Sequence, residues 1–316
     1  MNHRDFEVFG AFDAEYLLFP PFVAASDAID RLLTQFRLTG MVENLLVTGE
    51  SGTGKTTLCR TMLQKYPKQV HLERDVIPVL FAPIPPAATI GGAAEQMLFR
   101  LGDPAPAKGT TSAKTARAVR LARGCGVELL LFDEANHIQD RGRSGTQYHV
   151  GDWLKALTDE LQIPCVLLGL PRVEALLRVN EQLRRRFTRQ IRMELGQDPD
   201  VAVETECLQL FNSLAHALPI RFDPGDMSWS ELGQRVRFGT DGRVALFKVL
   251  LSQALRFGMA NCLDVLTVSD LAEAFTAAIW PQGVGALNPF HKSFEFRRLD
   301  RAGEPFERGA LGSGRR

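Results

Sequence analysis

The chain has 316 residues, 45% of them hydrophobic and 23% charged, and its 37 Lys and Arg are balanced by 37 Asp and Glu. This composition excludes a disordered chain, a globally basic nucleic-acid coat and an acidic tail protein, and the length suits about two domains. Five cysteines (Cys59, Cys125, Cys165, Cys207 and Cys262) are scattered, with no Cys-x-x-Cys spacing. They predict free thiols in a reducing compartment and no zinc site. The first ten residues lack an apolar signal core, and no run approaches the ~18 apolar residues of a membrane span. A cytoplasmic protein that does not engage membranes is the expectation.

In chain order, residues 1–25 form an N-terminal extension. From about 26 to 197, short apolar runs alternate with stretches long enough for helices. The runs at 44–48 (NLLVT), 77–82 (IPVLFA), 128–132 (ELLLF), 163–168 (IPCVLL) and 190–194 (QIRME) are expected to be strands. Between them, 55–65, 88–101, 112–123, 153–161 and 172–186 are expected to be helices. This repetition predicts an α/β domain with an open, parallel, five-stranded sheet and helices on both faces. The pattern changes at 198. Helices are expected at 203–218, 230–238, 243–257 and 268–279, the last capped by Ser269 or Thr267, which makes 198–280 a small all-helical domain. The Gly-rich, aperiodic 281–316 is expected to be a flexible tail.

Gly49, Glu50, Ser51, Gly52, Thr53, Gly54, Lys55 and Thr56 satisfy G-x-x-x-x-G-K-[ST], between the first strand and a helix that begins with Lys55, Thr56 and Thr57. Glycines let such a loop turn tightly and aim backbone N–H groups at phosphate, and the following helix N-terminus favours the anion. Lys55 then reaches the β- and γ-phosphates of ATP, and Thr56 ligates Mg²⁺. A second apolar strand ends in Asp133-Glu134. Asp133 is the expected partner of Thr56 on Mg²⁺, and Glu134 the group that orients or deprotonates the attacking water. These residues predict an ATPase forming ADP and phosphate.

Arg184, Arg185 and Arg186 follow the helix after the fourth strand. One of them, Arg186 or Arg185, is expected to reach a neighbouring subunit's nucleotide. Arg243 opens a helix of the second domain and is expected to reach the γ-phosphate. His137 either responds to that phosphate or packs beneath the sheet edge, while Cys59 is expected to be core. Lys108, Lys114, Arg117 and Arg120 lie in 100–126, where six basic residues stand against the single acid Asp103. Spacings of three place Lys114, Arg117, Arg120 and Arg123 along one drifting helical stripe, and with Lys108 these residues are expected to bind the backbone of duplex DNA without reading sequence.

These residues resemble an AAA+ ATPase, and among these the TniB/TnsC transposition regulators. The likeness spans roughly 20–200. It rests on MVENLLVTG leading into the phosphate loop from Met41, VLFAPIPP from Val79 and MLFRLGDP from Met97. It rests further on DEANH from Asp133, LKALTDELQIP from Leu154, LGLP from Leu168 and QLRRRF from Gln182. The resemblance implies a P-loop domain followed by a helical lid. It implies an ATP-dependent regulator that forms rings or helical filaments on duplex DNA. Such a regulator links a target-selection protein to a transposase and is disassembled by hydrolysis. It also implies a polar side chain after Gly169, where this chain carries Leu170. Two other readings stay open: a helicase-loader or initiator-type ATPase, and a nucleotide-gated scaffold with little hydrolysis.

Overall fold

The computed structural model describes residues 19–86, 89–138 and 144–307. Its contacts divide the chain into two units, one formed by Pro20–Met193 and one by the residues from Glu194 onward.

The first unit opens with α1 (Pro20–Thr39), a twenty-residue amphipathic helix that buries Phe22, Ala25, Ile29, Leu32 and Leu33. Strand β1 (Leu45–Thr48) leads into α2 (Lys55–Lys65). A small antiparallel hairpin follows, β2 (Gln69–Val70) with β3 (Asp75–Val76), for which the sequence offers no alternating apolar run. Then come β4 (Val79–Pro83), α3 (Ile90–Arg100), α4 (Thr111–Gly124) and β5 (Leu129–Asp133). The rest of the unit is α5 (Ser144–Leu161), β6 (Cys165–Gly169), α6 (Glu174–Val179), α7 (Glu181–Arg186) and β7 (Arg189–Arg192).

The five longer strands form one sheet in the order β4-β5-β6-β1-β7, with every pairing parallel. Its central strands are buried on both faces, as crossover helices require. Leu46, Leu80, Leu130 and Leu167 pack with Met97, Leu98, Leu154 and Leu157 of α3 and α5. The alternate residues Leu45, Val47, Leu129, Val166 and Leu168 are equally buried on the opposite face, which α1 and α2 cover.

Two expected helices differ in extent. α5 begins nine residues before the predicted 153, because its first turns carry no apolar repeat to read. The single helix expected over 172–186 is divided at Asn180, whose backbone is extended (φ −117°, ψ 103°). There Oδ1 accepts from Leu183 N at 3.0 Å and caps α7, while Nδ2 donates to Asp152 at 3.2 Å.

The second unit holds α8 (Val203–His216), α9 (Trp229–Thr240), α10 (Val244–Ala260) and α11 (Val268–Ala278). Thr267 caps α11 in a capping box with Asp270. The unit is not all-helical: β8 (Arg221–Phe222) pairs in parallel with β9 (Val265–Leu266). The expected flexible tail is also corrected over its described part, 281–307. Phe290, Phe294, Leu299 and Phe306 are buried there. Arg235, itself buried, donates to the carbonyls of Pro289 (2.6 Å) and His291 (2.8 Å). Asn288 Nδ2 donates to Ala272 O at 2.8 Å and Gly283 O at 3.0 Å. Irregularly spaced aromatic residues anchor this segment, and they give no periodic signal in the sequence. The last nine residues lie outside the described ones, as does most of the 1–25 extension.

Candidate functional site: a phosphate loop facing a buried aspartate

The loop from Gly49 to Thr56 joins β1 to α2 at the carboxyl end of the sheet. Gly52 (φ 83°) and Gly54 (φ 93°) occupy the left-handed region that side chains disfavour, so the motif's glycines serve a backbone need. At Gly49 the need is space, since a Cβ there would lie 2.6 Å from Thr53 Oγ1. Thr53 Oγ1 donates to Glu50 O at 2.9 Å and closes the turn. Lys55 is buried, and its Nζ donates to Gly49 O (2.7 Å) and Glu50 O (2.8 Å), which folds the ammonium against the loop.

β5 brings Asp133 to the loop. Thr56 Oγ1 donates to Asp133 Oδ2 at 2.7 Å, and the Glu134 amide donates to Asp133 Oδ1 at 2.9 Å. Asp133 is 2% exposed. Burial raises its carboxyl above the ordinary aspartate range, opposed first by the Thr56 hydroxyl and then by the Glu134 amide. Glu134 follows with φ 56°, a left-handed conformation unusual for glutamate, which turns its partly exposed side chain away from the strand line.

His137 sits in the 3₁₀ turn Ala135–Ile138. Its Nδ1 lies 2.9 Å from Ile84 O, a partner that only accepts, so Nδ1 carries the proton. Nε2 lies 4.0 Å from Glu134 Oε2. The imidazole is thus tied to the sheet edge and also stands beside the glutamate. Asn136, which sequence reasoning did not single out, is completely buried between Glu134 and the end of β6. Its signal was the glycine at 169, where a Cβ would lie 2.8 Å from Asn136 Oδ1.

The candidate arginines differ from one another. Arg186 Nε donates to Asp159 at 3.1 Å, and that pair lines an open cavity of about 500 Å³ with Gly40, Asn44 and Gln162. Arg185 pairs with Glu181 one turn earlier at 2.7 Å and stays largely exposed, while Arg184 is exposed. In the second unit Arg243 pairs with Asp241 at 3.1 Å and lies over the Phe306 ring.

Of the four basic residues expected to meet DNA, Lys108 and Arg120 are exposed. The other two members are engaged internally. Lys114 Nζ meets Glu95 of α3 at 2.7 Å. Arg117 meets Asp103 at 2.6 Å and donates to the carbonyls of Ala105 (2.9 Å) and Lys108 (3.1 Å). These contacts tie α4 to α3 and to the preceding loop.

Among the described residues no disulfide forms, no group of three or more His, Cys, Asp or Glu converges as a metal site, and no helix is long and apolar enough to cross a membrane. Cys59 and Cys165 are buried, and burial raises both thiols well above their ordinary range.

Solved structures of similar fold include the Aeropyrum pernix ORC2 protein in ADPNP and ADP complexes (TM-score 0.57, 16% identity, 84% of this chain and 70% of that chain). The Cdc6p of Pyrobaculum aerophilum matches with TM-score 0.60 at 16% identity, over 84% of this chain and 69% of that one. The Aeropyrum pernix ORC1 protein in complex with DNA matches with TM-score 0.62 at 14% identity, over 85% and 69%. These likenesses show the fold, an AAA+ P-loop domain followed by a mainly helical region. No curated protein matches the chain. The family model described as Bacterial TniB protein matches residues 15–194, more than half the chain, and the chain belongs to that family.

Proposed function

We propose that the protein is an ATP-hydrolysing regulator of DNA transposition that oligomerises on duplex DNA and links target selection to a transposase. The single observation that carries the nucleotide reading is the 2.7 Å bond between Thr56 Oγ1 and Asp133 Oδ2 at the mouth of the glycine-cornered loop. That pair offers two hard oxygen donors beside an N-terminal helix turn and a lysine, a donor set that fits Mg²⁺ with a nucleotide triphosphate. Thr56 and Asp133 would hold the ion. When bound, Mg²⁺ neutralises charge that develops on the phosphates.

The residues of this chain divide the work. Lys55 leaves its two loop carbonyls for phosphate oxygens, and the loop amides orient the phosphate chain. Glu134, partly exposed and set off the strand by its backbone, accepts a proton from water approaching the terminal phosphate. Family membership supports the transposition role, and support for nucleotide and DNA comes from the ORC2 structure with ADPNP and ADP and from the ORC1 structure with DNA. Arg186 or Arg185 of α7, paired in this chain with Asp159 and Glu181 respectively, is the arginine offered to a neighbouring subunit's nucleotide. The transposase, the target-selection protein and a role for Arg243 at the γ-phosphate belong to the same proposal.

Glu134→Gln tests it. Hydrolysis is expected to fall at least ~100-fold, the lower end of a general base's contribution, while ATP binding persists. Electron micrographs with duplex DNA and ATP are expected to show rings or filaments that persist longer than those of the parent. Turnover at the parent rate in this variant would falsify the role of Glu134.

A further inference from the structure

We propose that Asn136 is a positioning residue for Glu134, held in the 3₁₀ turn by the backbone N–H of Leu170, the residue that follows β6. The inference rests on the reading of Glu134 as the carboxylate that handles the attacking water.

The orientation of the Asn136 amide is fixed by its two partners. Leu170 N donates to Asn136 Oδ1 at 3.0 Å, and a backbone N–H accepts nothing in return, so the oxygen faces β6. The amide nitrogen then faces Glu134 Oε2 at 3.3 Å, where only a donor suits a carboxylate. The Asn136 side chain is completely buried, so solvent does not compete for its bond from Leu170 N, while the Glu134 carboxylate it meets is partly exposed.

Its surroundings leave it little room. A Cβ at Gly169 would lie 2.8 Å from Asn136 Oδ1 and 2.6 Å from Val173 Cγ2, so the absence of a side chain at 169 is what admits the amide. Gly169 O in turn accepts from Gly49 N at 3.1 Å. The end of β6 therefore bonds to the first residue of the phosphate loop on one side and to Asn136 on the other. A chain of hydrogen bonds runs from the loop through Gly169 and Leu170 to Asn136 and the Glu134 carboxylate. That chain links the phosphate loop to the group that handles water.

The test compares kcat, KM and the affinity for a fluorescent ATP analogue in the parent, Asn136→Asp, Leu170→Pro and Glu134→Gln proteins. Asn136→Asp keeps the oxygen for Leu170 N–H and turns the donor facing Glu134 into a second acceptor. Leu170→Pro removes the N–H that anchors the amide, at a residue whose φ of −68° already suits proline. Both variants are expected to lose kcat by about 10- to 100-fold, with analogue affinity held within about threefold, because the loss is confined to general-base positioning. A kcat within about twofold of the parent in both overturns the assignment, as does a parallel loss of analogue affinity. If Asn136→Asp does not fold, Leu170→Pro decides alone by the same criteria. Failure of the underlying reading looks different: the parent protein then shows no hydrolysis, or Glu134→Gln retains the parent kcat.

Discussion

Asp133 shows how the site opposes stability. Its carboxylate is buried with two hydrogen bonds, and burial outweighs them, so the folded protein favours the protonated form relative to an ordinary aspartate. A group raised in this way contributes stability below its unfolded value and loses that contribution as pH rises through its folded value. At pH 7 the ionised side chain therefore weighs against the fold. Asp133→Asn, which keeps the acceptor for the Glu134 amide and offers Thr56 a donor, is expected to raise Tm by a few degrees at pH 7. The gain should shrink as pH falls below about 4, where the parent aspartate is neutral in both states. Thermal unfolding at the two pH values checks this, and a lower Tm for the variant at pH 7 would show that the hydrogen bonds outweigh the burial. Hydrolysis should be lost in the same variant. Cys207 behaves similarly without a function: burial pushes its thiol up to about 12, so it remains an inert, neutral core residue.

At the scale of elements, the segment after α11 is the clearest case of order that the sequence conceals. Arg297 clasps Glu304 across seven positions, with Nη1 at 2.9 Å from Oε2, and the Arg301 amide reaches the same oxygen at 2.9 Å. The Arg297 guanidinium holds the Glu304 carboxyl below the usual carboxylate range. A group lowered in this way stabilises the fold above its unfolded value and loses that contribution as pH falls through the folded one. Glu304→Gln is therefore expected to speed proteolysis within 281–307 at pH 7, and the difference from the parent should fade below about pH 4. Equal cleavage rates at pH 7 would mean that the buried aromatic residues alone hold the segment. Gly239 packs against one of them: a Cβ there would lie 2.7 Å from Phe290, so α9 admits the ring only because position 239 has no side chain.

For the whole molecule, a net charge of zero conceals unlike regions. The basic run before β5 was legible in the sequence as a stripe, but the fold uses Lys114 and Arg117 to tie α4 to Glu95 and Asp103. Lys108 and Arg120 remain to face solvent. The double variant Lys108→Glu and Arg120→Glu is expected to weaken duplex binding and to lower the slope of log affinity against log salt by about 2, one for each lost phosphate contact. ATP affinity should be unchanged. Lys114→Ala and Arg117→Ala should instead lower Tm, because each leaves a partner on α3 or its following loop unpaired. Titrations of duplex DNA at several salt concentrations separate the two outcomes. An unchanged slope in the double variant would place any DNA interface elsewhere.

The sequence by itself determined what depends on neighbours along the chain. The phosphate loop, the helix over Lys55–Lys65 and the four buried apolar strands, among them the one ending in Asp133, were legible because glycine spacing and hydrophobic runs act locally. The fold class followed, since alternating strands and helices of these lengths close only as a parallel sheet covered on both faces. What the tertiary structure decided depends on partners far apart in sequence. The Asn136 amide finds Leu170 thirty-four residues away, Lys114 finds Glu95 across a helix pair, and Phe290 finds the gap at Gly239. Residue type alone could not assign those partners, because a charge or an amide is equally at home in solvent until the fold buries it beside a complement. The chain therefore announces its phosphate site locally, and only three-dimensional packing shows which charged and polar groups are left for function.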